Sequence, residues 1–135
     1  RDYSYTANGL AFAFIKAAVE GGIEVAIPEF ESSPTYNGIG PYRDLQVNAL
    51  AGLYVRSSSG ARLLITNTGN QRIILQHTFN GVRVIEYGGD KCTELRTSKI
   101  FDLKDLPVRE VKGNQVEIKP FSVTLISAIL SGSVE

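Results

Sequence analysis

The sequence predicts a mainly β domain, an antiparallel β-sandwich or jelly roll with one N-terminal α-helix. Short runs of alternating apolar residues recur from residue 45 onward, and turn-forming residues separate them at intervals of roughly eight to twelve residues. The run with helical character lies near the start. At 135 residues, the chain has the length of one domain with a single core.

The helix is predicted over residues 10–20. Asn8 or Thr6 would cap its first turn, and Gly21-Gly22 would end it. Apolar residues occupy most of its circumference, so it needs protein on most sides. We therefore expect residues 1–27, a helix and a strand, to belong to a larger body, such as a preceding barrel. The alternative is a helix that packs across the mouth of its own sandwich.

A strand and a loop are predicted next. Residues 23–27 alternate as a short strand that ends at Pro28, and residues 28–44 are predicted as a loop because they are rich in proline and glycine. Residues 45–135 are predicted to form the β-sandwich domain. Its predicted strands cover residues 47–55, 62–67, 72–79, 82–87, 92–102, 108–111, 115–118 and 121–126.

Two connections in the sandwich are predicted in more detail. Asn80-Gly81 favours a two-residue hairpin, which would pair residues 82–87 back on the preceding strand. The last three strands are predicted to form a meander, with Pro120 at the start of the final strand, where its missing donor is tolerated.

Composition argues against several function classes. Lys and Arg together number 14, as do Asp and Glu, so no net charge attracts nucleic acid or an anionic membrane surface. A single cysteine, Cys92, excludes an intrachain disulfide and cannot alone form a structural zinc site. We predict no cofactor and no metal. Both a secreted and a cytoplasmic location stay open.

Two groups of residues carry candidate chemistry. Glu29 and Glu31 flank Phe30, and glycoside hydrolysis uses a pair of carboxylates, although a solvated loop edge is the favoured interpretation of this pair. Aromatic and hydrogen-bonding side chains, the usual equipment for holding sugar rings, gather further along the loop. The predicted substrate-binding residues are Glu29, Glu31, Tyr36, Asn37 and Tyr42. His77, the single histidine, is interpreted as a buried or edge residue that a hydrogen bond satisfies.

The order of elements resembles a known enzyme family. A helix, a strand, the loop of residues 33–37 and a β domain, together with residues 61–68 and 116–126, are similar to the C-terminal part of a retaining glycoside hydrolase of the α-L-arabinofuranosidase type. In that family the last helix and strand of a (β/α)8 barrel lead into a β-sandwich. The resemblance implies that the catalytic glutamates belong to earlier barrel strands, so no catalytic residue is assigned here.

Three hypotheses follow. The first is a non-catalytic β-sandwich portion of a glycoside hydrolase, which supports the catalytic barrel and contacts a polysaccharide or glycoside substrate; it predicts an apolar surface patch around the first helix. The second is a free-standing extracellular carbohydrate-binding, adhesive or coat domain. The third is a small enzyme that uses Glu29 or Glu31.

Overall fold

The computed structural model describes residues 7–38, 40–58, 60–88 and 103–128. Helix α1 spans Ala7–Val19, and short 3-10 helices span Gly40–Tyr42 and Leu103–Asp105. The strands in these ranges are β1 Gly22–Ala26, β2 Thr35–Asn37, β3 Gln46–Asn48, β4 Leu50–Ser57, β5 Gly60–Asn67, β6 Ile73–Gln76, β7 Gly81–Gly88, β8 Val108–Lys112, β9 Gln115–Ile118 and β10 Ser122–Ala128. No helix within these ranges is long and apolar enough to cross a membrane.

The predicted fold class is confirmed, because the chain is mainly β, antiparallel and preceded by one helix. A six-stranded sheet has the order β1-β4-β5-β10-β7-β8, and every neighbouring pair is antiparallel. Helix α1 packs on one face of this sheet. The two-stranded β6–β9 ribbon packs on the other face and forms the second layer. Strands β2 and β3 form a further small ribbon.

The predicted hairpin at Asn80-Gly81 and the predicted closing meander are both wrong. Strand β6 pairs with β9, whereas β7 pairs with β10 and β8. Neither Asn80 nor Gly81 has the positive φ that a type I′ turn requires. At Asn80-Gly81 the chain crosses from the β6–β9 ribbon to the six-stranded sheet. Strand β7 is buried on both faces inside that sheet, whereas β6 buries only alternate residues.

The strand predicted over residues 47–55 divides at Ala49, which is buried. Its N–H donates to the carbonyl of Pro34 at 2.8 Å, and its carbonyl accepts from the N–H of Thr68 at 2.9 Å. At Ala49 these two hydrogen bonds take the place of pairing with a neighbouring strand. On either side of this residue, β3 pairs with β2 and β4 pairs with β1 and β5. The predicted loop of residues 28–44 accordingly contains β2 and a 3-10 helix. The prediction for residues 92–102 lies outside the described residues.

Helix α1 is fixed to the sheet along one face and at its C-terminus. Leu10, Phe14 and Ala18 follow an i, i+4, i+8 spacing and are buried in a cluster with side chains of β5, β7 and β10. At the C-terminus, the Arg62 guanidinium donates from Nη1 to the carbonyl of Ala17 at 2.6 Å and from Nη2 to the carbonyl of Glu20. These bonds satisfy carbonyls that the helix leaves unpaired.

The ends of the helix agree with the predicted signals in part. Gly21 has a φ of +70°, the left-handed conformation that ends helices at glycine. At the other end the helix begins at Ala7, so Asn8 lies inside the helix, while Thr6 lies outside the described residues.

The second half of the core lies between the sheet and the β6–β9 ribbon. Strands β5, β7 and β10 contribute one face of aliphatic side chains and β9 contributes the opposing side chains. The fully buried members are Ile65, Val82, Val84, Val116, Ile118 and Ile126. Because the central strands are covered on both faces, the sheet itself offers little free surface except at its edges.

Candidate functional site

Glu29 and Glu31 lie on the segment that connects β1 to β2, on the sheet face opposite α1. Phe30 turns inward and packs against the cluster under the β6–β9 ribbon. Gly52 leaves room for it, since a Cβ at this position would lie 3.1 Å from Cγ of Pro28 and 3.2 Å from Cζ of Phe30. With Phe30 turned inward, the two flanking glutamates are exposed side by side.

Two grooves run along this segment, and Glu29 and Glu31 border both of them. One groove, of about 730 Å³, lies between the segment and the start of β4, with Ser33 and Asn48 among its polar lining residues. The other, of about 630 Å³, lies between the segment and β6. These volumes fall in the range of small-molecule sites, and the linings combine carboxylate, hydroxyl and amide groups with aliphatic side chains.

Tyr36 and Asn37 are neighbours in β2, so their side chains point to opposite faces of the small ribbon. The Tyr36 hydroxyl is hydrogen-bonded to Oγ1 of Thr68 at 2.8 Å, which ties the ribbon to the turn after β5. On the other face, Oδ1 of Asn37 accepts from Nε2 of Gln46, whose Oε1 accepts from Oγ1 of Thr35. The Tyr36 hydroxyl is thus engaged in holding the fold.

The five predicted substrate-binding residues do not converge on one surface. Glu29 and Glu31 share the grooves, whereas Asn37 is hydrogen-bonded to Gln46 in the small ribbon and lines neither groove. Tyr36 faces the other way. Tyr42 belongs to the 3-10 helix Gly40–Tyr42, and its side chain lies outside the described residues.

His77 is a structural residue in the connection from β6 to β7. Its Nδ1 accepts a hydrogen bond from the N–H of Phe79 at 3.1 Å, which places the imidazole proton on Nε2. Its backbone N–H donates to the carbonyl of Asn114, and its carbonyl accepts from Nδ2 of Asn114. Nε2 is buried and has no hydrogen-bond partner among the described residues. The interpretation of a hydrogen-bonded histidine agrees with the contact at Nδ1 and does not extend to Nε2.

Burial lowers the pKa of His77 below its ordinary value of 6.5. The unfolded chain therefore binds this proton more readily than the folded chain, so the stabilising contribution is complete above pH 6.5 and is lost as the pH falls below it. We expect the urea midpoint to fall between pH 7 and pH 5.5 more steeply in the wild type than in His77→Gln. Equal slopes in the two proteins would contradict this assignment.

A half-buried carboxylate links β7, β8 and the residue after β9 at the ribbon side of the sheet. Oε1 of Glu86 in β7 lies 3.4 Å from Nε of Arg109 in β8 and 3.7 Å from Nζ of Lys119 beside β9. Glu86 pairs across the ladder with Thr124, which is fully buried. Sequence reasoning missed this cluster, because its members are distant in the chain and no motif marks them. Its arrangement holds β7, β8 and the ribbon together.

A further surface lies on the side of α1 that faces away from the sheet. Phe12, Ile15 and Val19 are 72%, 45% and 38% exposed, whereas Phe14, on the same helix, is fully buried. Side chains of this size at these fractions leave on the order of 300 Å² of apolar surface in water, the scale at which patches on monomers are often functional. The expected patch around the first helix is present, because the described residues cover only one face of α1.

The part of the chain that the structure describes contains no group of three or more His, Cys, Asp or Glu residues placed to hold a metal ion. Comparison with known proteins gives no matching family model, no matching curated protein and no matching solved structure.

Proposed function

We propose that this chain is the non-catalytic β-sandwich portion of a glycoside hydrolase and that it supports a catalytic (β/α)8 barrel through the outward face of α1. The observation that carries the docking part of the proposal is the division of one helix into two apolar faces. Leu10, Phe14 and Ala18 are buried against the chain's own sheet, while Phe12 and Ile15 remain in water. An apolar side chain gains its stabilising effect only when a neighbour removes it from water.

The link to a glycoside hydrolase comes from the resemblance of the element order and of residues 61–68 and 116–126 to the sandwich of α-L-arabinofuranosidase-type enzymes. In this arrangement α1 lies between two bodies, its own sheet on one side and the barrel on the other. The proposed partner is therefore a rigid protein surface with an apolar patch. The grooves beside Glu29 and Glu31 lie on the opposite side of the sheet, away from the proposed barrel contact.

The docking face is tested with a triple variant, Phe12→Gln, Ile15→Gln and Val19→Gln. Glutamine keeps the helix propensity high, so the melting temperature is expected to stay within about 3 °C of the wild type. Binding of an apolar fluorescent dye such as ANS is expected to fall severalfold. The matched control changes Ile74 and Val108, which are about equally exposed elsewhere, to Gln and should leave most of the dye signal in place. Equal losses in both variants would contradict a specific docking face.

The barrel is tested by determining the coding sequence upstream of Arg1. We expect it to encode alternating strands and helices of a barrel, and that barrel should be more soluble and more active when it is produced together with the wild-type chain than with the triple variant. An upstream sequence of another kind would overturn the barrel assignment. The dye experiment would still test whether the outward face of α1 is a docking face, because it does not depend on the upstream sequence.

The alternative function, a free-standing carbohydrate-binding, adhesive or coat domain, is favoured by the grooves beside Glu29 and Glu31. It predicts that the isolated chain binds neutral oligosaccharides and that Glu29→Gln with Glu31→Gln weakens this binding. Hydrolysis of a panel of aryl glycosides by the isolated chain distinguishes the third hypothesis. The proposed function predicts no hydrolysis. Hydrolysis that either Gln variant abolishes would favour the small-enzyme hypothesis.

A further inference from the structure

Asparagine is followed by glycine at three places in the sequence, Asn8-Gly9, Asn37-Gly38 and Asn80-Gly81. Asparagine is among the thermolabile residues, because the backbone nitrogen of the next residue can attack its side-chain amide. A glycine in the next position favours this attack, since it has no Cβ to hinder the approach and its backbone rotates freely. The structure places the three pairs in different surroundings, so it indicates which of them reacts.

Two of the pairs are held by the fold. Asn8-Gly9 lies inside α1, where regular helical dihedral angles fix the backbone, so this pair lacks the rotation that ring closure needs. At Asn37-Gly38 both reacting groups form hydrogen bonds. Oδ1 of Asn37 accepts from Nε2 of Gln46, and the N–H of Gly38 donates to the carbonyl of Leu45 at 3.0 Å. Ring closure at Asn37 therefore requires both of these bonds to break.

Asn80-Gly81 has neither restraint. Asn80 is exposed in the bend before β7, and its side chain forms no hydrogen bond with any of the described residues. Gly81 is the first residue of β7 and lies opposite Lys112 in β8, whereas the described part of β10 pairs with β7 only from Val82 onward. The end of a ladder opens more readily than its middle. Local opening at Gly81 therefore gives its backbone nitrogen the freedom to approach the Asn80 side chain.

We propose that Asn80 is the main site of spontaneous deamidation in this chain. The backbone nitrogen of Gly81 loses its proton and attacks Cγ of Asn80, so that an N–Cγ bond forms. The Cγ–Nδ2 bond then breaks, and the side-chain nitrogen leaves as ammonia. Water opens the resulting cyclic imide at either carbonyl carbon and yields aspartate or isoaspartate. The reaction consumes water alone and gives the chain one additional negative charge.

The isoaspartyl product alters the backbone as well as the charge. It adds one methylene to the main chain at the point where the chain crosses from the β6–β9 ribbon to the six-stranded sheet. Val82, two residues further on, is fully buried between these two layers. The isoaspartyl chain should therefore be less stable than the original chain. This inference concerns the chemistry of the chain itself and does not rest on the proposed function.

Peptide mapping by mass spectrometry tests the site during incubation of the folded chain at mildly alkaline pH. We expect conversion at Asn80 to be at least about fivefold faster than at Asn37, because two hydrogen bonds must break at Asn37. In concentrated urea, where the fold is lost, Asn8, Asn37 and Asn80 should convert at similar rates. Gln46→Ala should accelerate conversion at Asn37 and leave the rate at Asn80 unchanged. Faster conversion at Asn8 or Asn37 in the folded chain, or the same ranking in urea, would overturn the assignment.

The effect on stability is tested by comparing two forms with the same charge. Wild-type chain aged until position 80 is largely isoaspartate should melt about 2–5 °C below the fresh chain. Asn80→Asp carries the same charge on an ordinary backbone at an exposed position, so it should melt like the fresh chain. An isoaspartyl chain as stable as the fresh chain, or an equal loss in Asn80→Asp, would contradict the proposed effect on the backbone.

Discussion

Phe14→Ala is expected to lower the free energy of unfolding by about 3–5 kcal/mol, whereas Phe12→Ala is expected to change it by less than about 0.5 kcal/mol. The Phe14 ring is fully buried between α1 and the sheet, so its removal leaves a cavity that the surrounding strands cannot fill. The Phe12 ring is 72% exposed on the outward face, and its removal takes little from the core.

Urea unfolding of the two variants, followed by circular dichroism, measures this difference directly. The pair is well matched, because the same residue type is truncated at positions two residues apart in one helix. A large loss at Phe12 would show that the isolated chain itself covers the outward face of α1, and the docking proposal would lose its main support. A small loss at Phe14 would contradict the packing of α1 on the sheet.

Asn67→Ala is expected to cost about 2–4 kcal/mol, because it removes three hydrogen bonds made by one buried side-chain amide. Asn67 is 1% exposed at the end of β5. Its Nδ2 donates to the carbonyls of Gln71 at 2.9 Å and Lys119 at 3.1 Å, and its Oδ1 accepts from the N–H of Gly69 at 3.0 Å. One amide thus organises the turn after β5 and joins it to the connection between β9 and β10.

Thermal unfolding of three variants, Asn67→Ala, Asn67→Asp and Asn70→Ala, separates the contribution of the buried Asn67 amide from that of the exposed part of the turn. Asn67→Asp keeps the acceptor for Gly69 and loses both donors, so it should be nearly as unstable as Asn67→Ala. Asn70 is exposed in the same turn, and its truncation should shift the melting temperature by only about 1–2 °C. Equal effects at Asn67 and Asn70 would contradict the role of the buried amide.

Local signals were sufficient for the fold class and most element positions. The helix has a clear stop at Gly21, and β5, β9 and β10 follow alternating or continuous apolar runs with turn residues at their ends. These features depend on neighbours in the chain, so they can be derived from a short window of sequence. The apolar character of both faces of α1 was also visible at this level.

Strand pairing could not be derived in the same way. Asn80-Gly81 is a strong hairpin signal, but the burial of β7 on both faces requires it to lie between β10 and β8, and this tertiary demand overrides the local turn preference. The break at Ala49 has the same origin, since its two hydrogen-bond partners, Pro34 and Thr68, come from distant parts of the chain.

The candidate site was predictable only in part. The inward turn of Phe30 brings Glu29 and Glu31 to the edges of the same grooves, whereas the hydroxyl of Tyr36 is engaged with Thr68. The edge position of β1 was not anticipated, because strand order decides which strands lie at an edge. A sheet order cannot be derived from alternation alone.

The hydrogen bonds of the Arg62 guanidinium couple the unfolding of α1 to the unfolding of the sheet. Because a side chain from a central strand is hydrogen-bonded to the carbonyls at the C-terminal end of α1, the helix cannot leave without losing both of these hydrogen bonds, and the strand cannot shift without releasing the helix. Heating or denaturant should therefore produce one cooperative transition, in which helical and sheet signals disappear together. Limited proteolysis should likewise yield no long-lived β fragment that has shed its first 20 residues.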